Sequence, residues 1–345
     1  MSKTGPIRGN NNIQPLLPGE LASLIGERAN QAAAESRFID YRSRRAEQTL
    51  RRQDADLDLF REFLALVRVR TGSLAQEPYA WRVVTWGLVE AFVKWQVEHG
   101  YAIQSINVHL STIKTYARLA MQAGAVLPQE YALIRAVQGY SFREQNRIDS
   151  KREVTRIGLK KAEPVKLTPE QARQLKNQPN TPQGRRDTLL ICLLLDHGLR
   201  VGEVAALSVN DFDLAQNQLR FFRPKVNKIQ IHHLTRDTSS ALEMYQTHGD
   251  IPQSGLILRR SLRNEELGAN GMSERAITAR VGYLGEKLGI FGLSAHDCRH
   301  FWATSAARHG TDPFVLQEAG GWSSLAMPRR YVEDNEIANE GVKLE

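Results

Sequence analysis

Three short stretches near the C-terminus decide the fold of this chain: Ser294-Ala-His296-Asp-Cys-Arg299-His300, Ala319-Gly-Gly-Trp322 and Arg329-Arg-Tyr331. On one helix, His296 and Arg299 would project from the same face because they are three residues apart. A guanidinium can bind two phosphate oxygens at once, and a tyrosine hydroxyl can serve as a covalent nucleophile. Taken alone, His-x-x-Arg is a weak motif, and Tyr331 could simply be a packed tyrosine. Together these residues predict a phosphate-binding site with Tyr331 as the nucleophile.

The composition fits a globular protein with a polyanionic partner. The chain has 345 residues, of which 41% are hydrophobic and 24% charged, which is enough for two domains with real cores. The net charge is +8. Residues 1–163 carry 24 Lys and Arg against 17 Asp and Glu, whereas the remainder carries 22 against 21. The positive charge is therefore concentrated in the first half, where a polyanion would bind.

The cysteine content and the absence of long apolar runs predict where the protein resides. Cys192 and Cys298 are the only cysteines, which is typical of a reducing compartment. No apolar run approaches the roughly 18 residues of a membrane span, and residues 1–12 lack the apolar core of a secretory signal. We expect a cytoplasmic protein, associated with the nucleoid if the polyanion is DNA.

Periodicity and turn residues divide the chain into four parts. We predict a flexible arm and lead-in over residues 1–40, a helical domain over 41–140, a basic linker over 141–163 and a second domain over 164–345. Thr168 and Pro169, a good N-cap and first helical residue, begin the second domain. The predicted fold class is mainly α: an all-helical N-terminal domain, then a mixed, mostly helical domain with a small antiparallel sheet.

Basic side chains of the first half are candidates for contact with nucleic acid. A basic linker between two domains that touch DNA would lie along phosphates and release counterions. A solvated surface is the alternative interpretation of the same charges. The candidates are Lys114, Arg118, Arg143, Arg147, Lys151 and Arg152.

The second half supplies two more basic groups. A nearly all-apolar helix at 186–195 runs through a glycine turn into Arg200, which Glu203 could brace. Two predicted strands, 219–222 and 229–234, are joined by a turn that carries Lys225. Lys228 lies close to that turn and competes with Lys225 for any role there.

In this order and spacing, the residues resemble the tyrosine recombinase (phage integrase) family. The resemblance covers nearly the whole chain from about Arg45 and includes His197-Gly-Leu-Arg200-x-x-Glu203, the Lys225 hairpin, His296-x-x-Arg299 and a ring-bearing residue nine before Tyr331. It implies that residues 41–140 form a core-binding domain and 164–345 a catalytic domain. Many relatives carry histidine where this chain has Trp322. Within the family, Ala319–Trp322 and the segment 334–344 look most like the Cre-type members.

The resemblance implies site-specific strand cleavage and exchange through a Holliday junction, without ATP. Tyr331 would form a 3′-phosphotyrosyl link. Arg200 and Arg299 would stabilise charge on the phosphate oxygens, and Lys225 would protonate the leaving 5′ oxygen. His296 would help to deprotonate the tyrosine or hold the phosphate, the Trp322 indole would donate to a phosphate oxygen, and Glu203 would orient Arg200 and His296. We expect no metal and no cofactor, since no metal motif is visible.

The implied partners are double-stranded DNA with an inverted-repeat site and three further copies of the chain. The homotetramer would form on DNA through residues 335–344. Two other functions stay open at this point. A type IB topoisomerase shares the chemistry but relaxes supercoils as a monomer, and a catalytically silent relative would act as a DNA-binding regulator.

Overall fold

The computed structural model describes residues 18–157, 163–263 and 265–333, and the chain divides into two compact units. The first unit is Met1–Leu159 and the second is Lys160–Glu345. In its described part the first unit contains helices only, and the second combines helices with two small antiparallel sheets. The predicted fold class is confirmed. Among the described residues, no helix is both long enough and apolar enough to cross a membrane.

Within residues 18–157, the described part of the first unit, there are six α-helices and one 3₁₀ turn (Pro78–Val83). The helices are α1 Pro18–Ser43, α2 Glu47–Leu66, α3 Trp86–Glu98, α4 Ile103–Gln122, α5 Pro128–Ala136 and α6 Phe142–Asp149. The central helix is α4, which contacts α1, α2, α3 and α5. Its residues Ile106, Leu110 and Ile113 recur at three and four and are buried, as the helical pattern predicts.

Helix α1 lies in the predicted lead-in to the helical domain, and residues 1–17 of the predicted arm lie outside the described ranges. One segment differs from the sequence-based predictions. Helix α6 lies where an extended linker was predicted, and a capping box between Ser141 and Glu144 begins it. Since α6 is short, polar and without a buried residue, it has no apolar periodicity that could reveal it.

The second unit is organised around one buried helix. Its helices are α7 Pro169–Lys176, α8 Pro182–Asp196, α9 Val201–Ala206, α10 Arg236–Thr247, α11 Glu274–Lys287, α12 Ala295–Arg308, α13 Pro313–Gly320 and α14 Ala326–Glu333. Helix α8 contacts α7, α9, α10 and α12, and its residues 189–195 are all buried. A side chain at Gly198 would collide with the Trp302 ring, so this turn after α8 requires glycine, which also has a φ of 58° here.

The predicted hairpin is present in a three-stranded sheet. Strands β1 Phe212–Asp213, β2 Gln218–Arg223 and β3 Lys228–His233 are antiparallel in that order. The β2–β3 register pairs Arg223 with Lys228, which leaves residues 224–227 as the turn. A second pair of strands, β4 Arg259–Ser261 and β5 Leu267–Gly271, lies further along the chain.

Candidate active site

Three arginine side chains converge on the turn that ends α13. Each donates to a different one of three consecutive backbone carbonyls: Arg223 to Ala319 at 2.7 Å, Arg299 to Gly320 at 2.6 Å and Arg200 to Gly321 at 2.9 Å. The carbonyl end of a helix carries partial negative charge, so it attracts cations. The Ala319-Gly-Gly-Trp322 stretch is therefore the scaffold that gathers the arginines.

Glycine is required at this turn for two separate reasons. Gly321 is left-handed, with a φ of 59°, and a Cβ there would lie 2.5 Å from Cδ of Arg223. A Cβ on Gly320 would lie 2.2 Å from the Trp322 ring. The two glycines allow a guanidinium and an indole to approach the backbone closely.

A single buried carboxylate braces two of the arginines. Glu203 Oε1 accepts from Arg200 Nη1, and Oε2 accepts from Arg223 Nη1, both at 2.8 Å. The backbone N–H of Arg200 also donates to Oε2 at 2.8 Å, which begins α9. The predicted contact between Glu203 and Arg200 is thus present, and Arg223 is a partner that the sequence did not indicate.

Arg299 is the most enclosed of the predicted phosphate ligands. It is 2% exposed, donates to the carbonyls of Gly198 and Gly320, and lies 4.6 Å from the centre of the Trp322 ring. Burial, together with the positive charges of Arg200 and Arg223, lowers the pKa of Arg299 to about 9. The guanidinium is still charged at pH 7, and an anion in the site would relieve this repulsion.

Tyr331 lies inside the unit beside these groups. It is on α14 and only 2% exposed, and its ring centre lies 5.7 Å from that of Trp322 and 5.4 Å from that of His300. Alanines of α12 and Leu316 of α13 complete this small apolar cluster. Arg299 and Tyr331 are therefore both neighbours of the Trp322 indole.

Two histidines of α12 lie one turn apart. His296 is exposed, and its ring meets that of His300 edge-on at 4.5 Å between centres. Burial lowers the pKa of His300 to about 4, with help from the neighbouring His296 and Arg330, so this ring is neutral at pH 7. His300 contacts the Tyr331 ring, a role that was not predicted from the sequence. The spacing of four residues from His296 was the available signal.

Lys225 lies in the β2–β3 turn and is exposed. Residues on both sides of the turn are anchored, because Arg223 is fully buried and Lys228 forms an ion pair with Glu318. Because the Lys228 amine is paired with Glu318, Lys225 is the stronger of the two lysine candidates on the hairpin. Arg223 was not among the residues predicted from the sequence, although it shares the inward face of β2 with Leu219 and Phe221 at a spacing of two.

Some candidate DNA contacts of the first unit already bond to other groups of the protein, whereas others are exposed. Lys114 donates to the carbonyl of Val137, and burial, followed by the charge of Arg135, lowers its pKa. Arg118 is exposed and lines two grooves, of about 880 Å³ and 260 Å³. The larger groove also has Lys114 and Arg135 in its wall.

Arg152 has an internal role that the sequence did not predict. Its guanidinium pairs with Asp149 at 2.6 Å and donates to the carbonyls of Val97 at 3.1 Å and Tyr101 at 2.9 Å. It therefore ties the end of α6 to the end of α3. The neighbouring candidates are exposed and remain better placed for DNA: Arg143, Arg147 and Lys151.

Among residues 18–157, 163–263 and 265–333, no three His, Cys, Asp or Glu side chains are grouped as a metal site would need. Both cysteines, Cys192 and Cys298, are buried thiols. Burial raises the pKa of the Cys192 thiol to about 12, so this thiol is protonated and unreactive at pH 7.

Known proteins resemble this chain in sequence and in fold. The profile of the Phage integrase family matches residues 166–337. Tyrosine recombinase XerC of Roseiflexus castenholzii is 28% identical over 291 residues, which cover 81% of each chain. Tyrosine recombinase XerD of Proteus mirabilis is 26% identical over 280 residues, covering 79% of this chain and 80% of that one.

Two solved structures share the fold at low sequence identity. The Tn1549 transposon integrase in complex with transposon right end DNA has a TM-score of 0.60 at 15% identity, over 87% of this chain and 93% of that one. A lambda integrase dimer bound to a COC' core site has a TM-score of 0.57 at 16% identity, over 91% and 98%. With the matched profile and the arginine site, residues 166–337 are a domain of the phage integrase, or tyrosine recombinase, family.

Proposed function

We propose that the chain is a site-specific DNA recombinase in which Tyr331 attacks the scissile phosphate. The observation that carries this proposal is the cluster of three guanidinium groups, two of them paired with one buried carboxylate, with Tyr331 next to the Trp322 ring that Arg299 contacts. Three positive charges against the single negative charge of Glu203 leave an excess of positive charge that attracts a phosphodiester. The relatives named tyrosine recombinases support the same chemistry.

The proposed cleavage step conserves atoms and charge. The Tyr331 oxygen loses its proton to His296, or to water where His296 instead holds the phosphate, and bonds to phosphorus. The bond from phosphorus to the 5′ oxygen breaks, and that oxygen takes a proton from Lys225. Arg200, Arg299 and the Trp322 indole N–H stabilise the negative charge that builds on the non-bridging oxygens.

The 3′-phosphotyrosyl bond retains the energy of the broken phosphodiester. A 5′ hydroxyl from another strand reverses the step, so strands can be exchanged through a Holliday junction without ATP. The likeness of Ala319–Trp322 to Cre-type members remains a sequence-based prediction within this proposal.

Binding of DNA has to rearrange the site before cleavage. Tyr331 is buried, and Arg200 and Arg299 are both bonded to carbonyls of the α13 turn. The side chain of Arg200 is 24% exposed, so it is the guanidinium that a phosphate reaches first. We infer that the phosphate then replaces the carbonyls as arginine partner while α14 moves to present the Tyr331 hydroxyl.

The first unit is proposed to bind the DNA backbone and grooves. Arg118 and the exposed arginines of α6, Arg143 and Arg147, supply positive charge for phosphates, while Lys114 lines the larger groove. We further propose an inverted-repeat site bound by a homotetramer through residues 335–344, which lie outside the described residues.

Covalent trapping on a nicked suicide duplex tests the proposal. Inverted repeats flanking the gene supply the duplex, and a labelled protein–DNA adduct is scored on a denaturing gel. We expect the adduct with wild type and none with Tyr331→Phe. Tyr283→Phe removes the same atom from an exposed ring of α11 and should leave the adduct intact.

Two outcomes would overturn the proposal. If wild type binds the duplex but traps no adduct, the chain is a DNA-binding protein without this chemistry. If it relaxes supercoiled plasmids that lack the site as fast as plasmids that carry it, a topoisomerase fits better.

A further inference from the structure

Arg223 is a buried charge that the proposed cleavage step does not use. It is fully buried on β2, two residues before Lys225. A charged side chain on the inward face of a strand is costly unless it is paired and hydrogen-bonded. Arg223 meets that condition: Nη1 donates to Glu203 at 2.8 Å, Nη2 donates to the Ala319 carbonyl at 2.7 Å and Nε donates to Gln230.

These three partners belong to three different parts of the site. Glu203 holds Arg200, Ala319 begins the turn that holds Arg299, and Gln230 is on β3 of the hairpin. One planar guanidinium therefore connects the hairpin to both predicted phosphate ligands. Lysine could not replace it, since an ammonium lacks the fixed fork of donors that serves three directions at once.

The opposite strand of the hairpin is attached to the same helix end. Gln230 donates to the carbonyl of Glu318, and Lys228 pairs with the Glu318 carboxylate. The four-residue turn with Lys225 is thus held on both flanks against the C-terminus of α13. Gly321 leaves the space through which the Arg223 side chain passes, because any Cβ there would meet its Cδ.

We propose that Arg223 is a positioning residue, which fixes the Lys225 turn relative to the arginine site so that the amine reaches the leaving 5′ oxygen. The inference rests on the proposed function, in which Lys225 is the general acid. Loss of Arg223 would free the hairpin from α13 and move the Lys225 amine away from the reacting phosphate. Arg200 and Arg299 could still bind that phosphate.

Replacing the bridging 5′ oxygen with sulfur isolates this effect. A thiol has a pKa of about 8.5, so a thiolate leaves without being protonated, whereas an alkoxide needs an acid. The measurement is the single-turnover cleavage rate of the full chain on oxygen and on sulfur duplexes, expressed as a sulfur-to-oxygen ratio. Taken on one preparation, the ratio is independent of the folded fraction.

We expect Arg223→Met and Lys225→Ala each to raise this ratio about 100-fold or more over wild type, the lower end of what a general acid contributes. Arg223→Lys, which keeps the charge, should also raise it. Arg200→Ala should slow both substrates and leave the ratio near wild type. Arg186→Lys is the matched control, because Arg186 is another fully buried arginine that pairs with Asp187 and the Arg259 carbonyl.

The outcomes separate this inference from the proposal beneath it. If Lys225→Ala raises the ratio and both Arg223 variants keep the wild-type ratio, the positioning role is wrong and the proposed function stands. If Lys225→Ala keeps the wild-type ratio, Lys225 is not the acid and the inference falls with that assignment. A ratio raised equally by Arg186→Lys would mean that any loss of a buried arginine has this effect, which also overturns it.

Discussion

Replacement of Glu203 by glutamine should destabilise the second unit strongly. Both carboxylate oxygens are occupied: Oε1 by Arg200, and Oε2 by Arg223 and by the backbone N–H that begins α9. An amide offers one oxygen, so its NH₂ group must face a donor, and the negative charge that balances the cluster disappears. Removal of one partner from a buried ion pair costs about 3–5 kcal/mol.

That loss is large enough to measure as a melting shift. In a domain of this size, 1 kcal/mol moves Tm by about 2–4 °C, so Glu203→Gln should lower the Tm of the second unit by about 6–20 °C. Calorimetry on the full chain is the assay, because the two compact units can give separate transitions. The transition of the first unit should not move.

Glu318→Gln is the matched control. Its carboxylate is 65% exposed and pairs with Lys228 on the surface, where such a pair contributes about 0–1 kcal/mol. If Glu203→Gln shifts the melting transition no further than Glu318→Gln does, the buried carboxylate is not what holds the arginine cluster together.

Three further changes have defined outcomes. Gly321→Ala should lower the unfolding free energy, measured by urea titration, by about 1–3 kcal/mol more than Gly310→Ala does. Both glycines have a positive φ, but only a Cβ at position 321 would meet a side chain, at 2.5 Å. Equal losses of unfolding free energy would contradict this. Burial, with the charge of Lys176, lowers the pKa of His197 to about 4, so the folded state binds fewer protons than the unfolded state between pH 4 and 6.5. The unfolding free energy therefore falls as the pH drops through that window. His197→Gln should abolish about 2 kcal/mol of the unfolding free energy that the wild type loses between pH 7 and 5. An unchanged dependence of unfolding free energy on pH would refute this. Arg118→Ala should weaken DNA binding by the full chain and reduce the slope of log K against log salt by about 0.9, and an unaltered slope would exclude a phosphate contact.

The sequence was sufficient for elements whose signal is local. The predicted helix around Leu110 and Ile113 is α4, and the predicted hairpin has its turn where Lys225 lies. Helix caps can also be predicted from the local sequence. Thr168, which the sequence predicted as an N-cap, accepts a hydrogen bond from the backbone N–H of Gln171, three residues later. Helix α6 was missed because it has no fully buried residue and therefore no apolar periodicity.

Within the site, the sequence identified side-chain types and the fold decided their partners. His296 and His300 are four residues apart, and that proximity is readable from the chain. Arg299 contacts the carbonyl of Gly198, which is 101 residues away, and Arg200 contacts that of Gly321, at a separation of 121. No local pattern specifies such pairs, because they depend on how α9, α12 and α13 pack.

By itself, then, the sequence determined the helices with a clear apolar face, the hairpin and the set of groups suited to a phosphodiester. Those properties follow from hydrophobic periodicity and from the chemistry of single side chains. Only the tertiary structure decided that Tyr331 is buried against Trp322 and that Arg223 joins the site. Burial and buried charge pairing arise between segments far apart in the chain, and their energies depend on desolvation that exists only once those segments are packed.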